Sequence, residues 1–113
     1  MQLVYGCVVA SIQVDLSDEV LHLFQQDLLE QVRQSRAGAA ILDLAGAAVL
    51  DAADFRSIVR TLMMARLLGA VPVIVGLRPG IAASLAELGA DADAVLTVPT
   101  LQHAFERVQR RSI

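Results

Sequence analysis

The chain has 113 residues, 56% hydrophobic and 19% charged, with a formal net charge of -3. That is enough for one domain with one core, too apolar for disorder, and without the basic field that nucleic acid or an anionic membrane surface requires. All nine cationic residues are arginine, which removes the P-loop lysine, the Schiff-base lysine and a lysine general base. The single cysteine, Cys7, can close neither an internal disulfide nor a zinc framework and fits a reducing compartment, so a cytoplasmic location is expected. Met1 to Cys7 lacks the positive leader of a signal peptide, and Gly6 and Gln13 interrupt the apolar stretch well short of the ~20 residues that span a bilayer.

Leu3 to Tyr5 and Cys7 to Gln13 read as two strands bent at Gly6. Ser17 is placed to cap a helix that has Asp18 and Glu19 in its first turn, and Leu16, Val20, Leu21, Phe24, Leu28 and Val32 form its apolar stripe. Gly38 should stop it. Ala39 to Leu44, apolar except for Asp43, suits a strand buried on both faces of a parallel sheet. After a loop over Gly46 to Ala48, Asp51 begins a second helix, with Asp54 three residues on and Phe55, Ile58, Val59 and Leu62 facing inward. Gly69 ends it. Val71 to Gly76 is the next strand, with Pro72 near its start. Pro79 opens a third helix to about Leu88, Ala94 to Val98 is the last strand, and Thr100 caps a final helix through Arg111. Gly38, Gly69 and Gly89 mark three helix-to-strand returns as left-handed stops. One domain over 1–113 is expected, an α/β fold with an N-terminal hairpin and a mixed, mostly parallel sheet flanked by about four helices.

Chemistry-bearing residues are sparse. His22 and His103 lie in separate helices with no partner at ligand spacing, so no metal site is indicated. Cys7 has no neighbouring base and reads as packing. Asp43, near the end of a central strand, stands where receiver domains accept phosphate, but the lysine and the acidic pocket that such domains need are absent, and helix capping accounts for Asp15 and Asp18. Gly76-Leu77-Arg78-Pro79-Gly80 has neither phosphate-binding glycine signature and reads as a helix-opening turn. No catalytic residue and no cofactor are indicated, and the chain reads as a binding protein and not an enzyme.

The turn Val49-Leu50-Asp51-Ala52-Ala53-Asp54-Phe55 is followed by Leu67-Leu68-Gly69-Ala70, an apolar strand, Gly76-Leu77-Arg78-Pro79 and Leu85-Ala86-Glu87-Leu88-Gly89. With Val9-Ala10-Ser11-Ile12-Gln13 and Phe24-Gln25-Gln26-Asp27-Leu28-Leu29 before it, this order resembles the STAS domain family over nearly the whole chain, and within it the single-domain stressosome antagonists. The resemblance implies that the start of the second helix docks on a serine/threonine switch kinase of the anti-sigma type. It also implies assembly with paralogous STAS-domain sensors as a homo- or hetero-oligomer. In such relatives a serine after the acidic residue is the phosphorylation switch. Here the acidic residue is Asp51 and the switch position is Ala52, which has no hydroxyl.

A second switch threonine of related proteins falls on Val75. Asp51, Ala52, Ala53, Asp54, Arg56, Ser57 and Arg60 are the expected partner-binding residues. Ser57 and Thr61 are the nearest remaining hydroxyls and read more readily as tolerated surface residues. Arg56 and Arg60, at i and i+4, share a face, and Met63 and Met64 could extend an adaptable apolar contact or belong to the core.

Overall fold

Short runs of β-branched and small apolar residues pass through the middle of the molecule as strands, and helices return the chain from each parallel strand to the next. The computed structural model describes residues 1–12, 17–47, 50–87 and 95–111. In chain order the elements are β1 (Gln2–Val4), β2 (Cys7–Ser11), α1 (Asp18–Ser35), β3 (Ala39–Asp43), α2 (Ala52–Leu67), β4 (Val71–Val75), α3 (Pro79–Glu87), β5 (Leu96–Val98) and α4 (Leu101–Arg111). The sheet has the order β1-β2-β3-β4-β5 and is antiparallel only between β1 and β2. The expected mixed, mostly parallel sheet with a hairpin at its start is what the chain forms. Gln13, Asp15, Leu16, Ala48, Val49, Leu88, Gly89 and Ala94, named in the expectations above, lie outside the described residues.

The period-2 alternation of side chains divides the strands between two cores. Val8, Ala10, Ala40, Leu42 and Ile74 face α1 and α2, where Leu21, Leu28, Val32, Phe55, Ile58 and Leu62 meet them, and Ile81 of α3 packs on the same side. Cys7, Val9, Ala39, Ile41, Val73, Val75 and Val98 face the other way, onto Ala104 and Val108 of α4. The sheet is therefore sandwiched, which is why β3 and β4 read as unbroken apolar runs.

Local chemistry sets the ends of the elements. Tyr5 (φ 51) and Gly6 (φ 73) both adopt the left-handed conformation, the signature of the tight two-residue turn that joins twisted antiparallel strands. Ser17 caps α1 as expected, its Oγ accepting the Val20 N–H at 3.1 Å. The other end of α1 differs from expectation: Arg36 (φ 52), not Gly38, takes the left-handed turn. Gly38 instead lies in line with β3, its N–H donating to Gly6 O at 2.9 Å and its C=O accepting from Val71 N–H at 2.9 Å. Pro72 is tolerated inside the sheet for a related reason. Because Val71 directs its N–H toward β3, Pro72 turns its ring nitrogen toward β5, and pairing there begins only at Val73 opposite Leu96.

Two side chains assigned by periodicity sit elsewhere. Val20, expected in the stripe of α1, is 38% exposed, because it falls in the first turn, at the rim of the sheet. Thr61, expected at the surface, is 2% exposed. Its hydroxyl donates to Ser57 O at 3.0 Å and lies 3.5 Å from Gln25 Oε1 across the α1–α2 seam, which makes its burial tolerable. Gln25 also donates to Met64 Sδ at 3.3 Å, so Met64 belongs to this seam.

Candidate functional site

The carboxyl ends of the parallel strands, where α/β sheets commonly bind their ligands, carry the start of α2. Asp51 has an extended backbone, and its Oδ1 accepts the Asp54 N–H at 2.7 Å while its main-chain oxygen takes the Phe55 N–H at 3.0 Å. Phe55, only 1% exposed, pins the turn to the core. What remains outside is a short acidic step: Asp51 and Ala53 exposed, Asp54 half-buried, and Ala52 half-buried with its methyl resting on the edge of the core. One and two turns further, Arg56 and Arg60 are exposed and Ser57 is half-buried.

The loop that delivers this turn is braced from below. Leu44 N–H donates to Val75 O at 2.8 Å and Gly76 N–H to Val98 O at 3.1 Å, tying the ends of β3, β4 and β5 together. The Asp43 carboxylate is occupied with its own loop, its Oδ1 accepting the Ala45 N–H at 2.9 Å. It is thus a turn-forming side chain. Gly76 (φ +74) lies so close to Ala45 that a Cβ there would stand 2.8 Å from the Ala45 methyl. The Arg78 guanidinium, 3.2 Å from Ala45 O, closes the brace. Arg78 was missed as a supporting residue by sequence reasoning, since its partner is 33 positions away; a glycine at a strand end was the one local sign of close approach.

Electrostatically the step is crowded with negative charge. Burial, reinforced by the neighbouring Asp51 carboxylate and a hydrogen bond with it, raises the Asp54 carboxyl above its ordinary range, and Asp18 at the start of α1 adds to this. A cationic group on a partner would relieve that repulsion.

Cys7 and His103 lie apart from this step. Cys7 is 3% exposed, on the α4 face, and burial pushes its thiol up, away from the reactive thiolate. His103 belongs to the cap of α4, its N–H donating to Thr100 Oγ1 at 3.2 Å and its Nδ1 2.7 Å from the same hydroxyl. Val75, where the resemblance puts a second switch residue, is 2% exposed. Among the described residues, no group of three or more His, Cys, Asp or Glu side chains is placed to hold a metal ion, and no helix is long and apolar enough to cross a membrane. An open groove lined by Leu77, Arg78, Pro79, Ala82, Thr97 and Pro99, about 530 Å³, runs beside the brace.

A sandwiched, mostly parallel sheet with an N-terminal hairpin and a braced acidic helix start defines a class of α/β domain. Comparison with known proteins makes the class specific. The chain belongs to the STAS domain family, whose model matches residues 1–108. It is 32% identical over 81 residues to the RsbT co-antagonist protein RsbRA of Bacillus subtilis (strain 168), a match that covers 72% of this chain and 30% of that protein. The chain thus spans under a third of that relative's length. Among solved structures, a serine-to-glutamate variant of Moorella thermoacetica RsbS superposes with a TM-score of 0.84 at 24% identity, covering 98% of this chain and 94% of that one. A chain of the stressosome, a signal integration and transduction hub, gives 0.83 at 25% identity, with 96% and 95% covered. The Thermotoga maritima protein TM1081 gives 0.78 at 21% identity, with 96% and 92% covered.

Proposed function

We propose that this chain is a non-enzymatic scaffold and antagonist subunit of a stressosome-like signalling complex in the cytoplasm. It assembles with paralogous STAS domains and sequesters a serine/threonine switch kinase of the anti-sigma type. Asp51, Ala52, Ala53 and Asp54 form the docking step, and Arg56, Ser57 and Arg60 extend it along α2. The observation that carries this reading is the partly exposed methyl of Ala52 at the first turn of α2, beside two carboxylates, where the family resemblance calls for a serine.

A phosphate at that turn would meet the positive end of the helix dipole but add up to about two negative charges next to Asp51 and Asp54, so a docked surface would change. Alanine holds the site in its neutral state. The subunit therefore binds its kinase constitutively. Likeness to a stressosome chain and kinship to an RsbT co-antagonist support the assembly and the kinase partner. No cofactor has a role in this reading.

Incubation of Ala52→Ser with the cognate kinase should add the mass of one phosphoryl group, mapped to α2, while the parent chain gains none there. An unchanged mass for a folded Ala52→Ser would remove the switch position from Ala52. The same docking step serves one alternative, a stand-alone antagonist that binds a single anti-sigma kinase. Light scattering of the purified complex separates the two: a large shell with paralogues for the first reading, one or two chains per kinase for the second.

A further inference from the structure

The segment Gly76-Leu77-Arg78-Pro79 leaves β4 and enters α3 at the same end of the sheet as the docking step, and the proposed function gives it no part. Its backbone is nonetheless fixed at three points. Gly76 takes a left-handed turn (φ 74), Leu77 packs against the core under α1 and α2, and Pro79 restricts the residue before it to extended conformations. Arg78, though exposed, is thus launched from a rigid base.

What its guanidinium meets is main chain, Nη2 donating to Ala45 O at 3.2 Å. The N–H of the same alanine is taken by Asp43 Oδ1 at 2.9 Å, and its methyl faces Gly76 so closely that a Cβ there would stand 2.8 Å away. An exposed loop residue therefore has its carbonyl, its amide and its methyl all held, by opposite charges from two elements and by a glycine. Water would satisfy both main-chain groups of an exposed loop equally well, so what the charged pair adds is position. Beyond Ala45 the chain is anchored again at Ala47, 4% exposed, and at Leu50, packed on the core, before Asp51 caps α2.

We infer that Asp43 and Arg78 are positioning residues for kinase capture. They clamp Ala45, and through the short loop that follows it they hold the Asp51–Asp54 turn in the conformation that the kinase binds. The inference rests on the docking reading above. A turn ordered beforehand spares the partner the cost of ordering it, and apparent affinity scales with the fraction of chains already competent. Loss of either arm of the clamp lowers that fraction without altering the surface that the kinase touches.

Arg78→Met keeps the aliphatic stem and removes the donors. In the free chain, the amides of Ala45, Ala47 and Asp54 should exchange with deuterium several-fold faster, while those of Ile41 and Val73 in the sheet keep the parent's rates. Capture of the cognate kinase should weaken by about three- to ten-fold, with little change in the thermal melt. Arg78→Lys, which still offers a donor, should recover part of both effects, which a purely packing role would not require. Asp43→Ala should act in the same direction, and the double variant should lose less than the product of the single losses, because both side chains hold one residue. Weaker capture with unchanged exchange would make Arg78 a kinase contact and overturn the positioning role, as would full capture by both single variants. A parent chain that captured no kinase would sink the docking reading instead. The exchange data, taken without kinase, would then still decide whether the clamp orders the turn.

Discussion

Asp54 illustrates how much a single side chain can report. It sits at the third position of α2, where the helix dipole favours negative charge, yet burial and the adjacent Asp51 outweigh that benefit and raise its pKa. A carboxyl raised in the folded state contributes stability that is present below its unfolded pKa of about 3.9 and is lost as pH climbs through the folded value. At neutral pH the ionised Asp54 therefore weakens the fold. Asp54→Asn should melt above the parent at pH 7, and the difference should close as pH falls below about 4. Thermal melts across that range check it, and an equal difference at every pH would contradict the charge argument.

Between elements, the brace under α2 matters more than any one helix. Gly76 is the point where β4 turns away and the β3–α2 loop crosses above it, with positive φ and no space for a methyl. Gly76→Ala should cost about 2–3 kcal/mol, from the left-handed backbone and from displacement of Ala45. The urea midpoint should fall accordingly, and kinase capture should weaken even though Gly76 lies outside the proposed docking residues. Unaltered capture by a variant of reduced stability would mean that the loop's position does not set the docking turn. The α1–α2 seam behaves similarly: Thr61 is held inward by its bonds to Ser57 and Gln25, and of the two α2 hydroxyls considered it is the one withdrawn from the surface.

At the scale of the molecule, the two cores share a single layer of strands, so damage on one face is felt on the other. The α4 face rests on one amphipathic helix, with Ala104 at 0% exposure against Ile41 and Val73. Ala104→Asp buries an unpaired charge there and should destabilise by about 3–5 kcal/mol. The same drop should appear in amide exchange of α2, on the opposite face. Protection of α2 that survived loss of α4 would show two independently folding layers.

The sequence by itself determined the element order, the sandwiched sheet and the caps at Ser17 and Asp51, because each depends on period, cap chemistry or chain order within a few residues; the proposed docking turn came from the family resemblance. Tertiary structure alone decided that Arg36 takes the left-handed turn so that Gly38 can join the strand ladder, and that Thr61 goes inward to meet Gln25. It also decided that Arg78 and Gly76 support a loop some thirty residues away. Those outcomes turn on which main-chain groups and side chains find partners across the sheet, and a local window of sequence contains only one member of each pair.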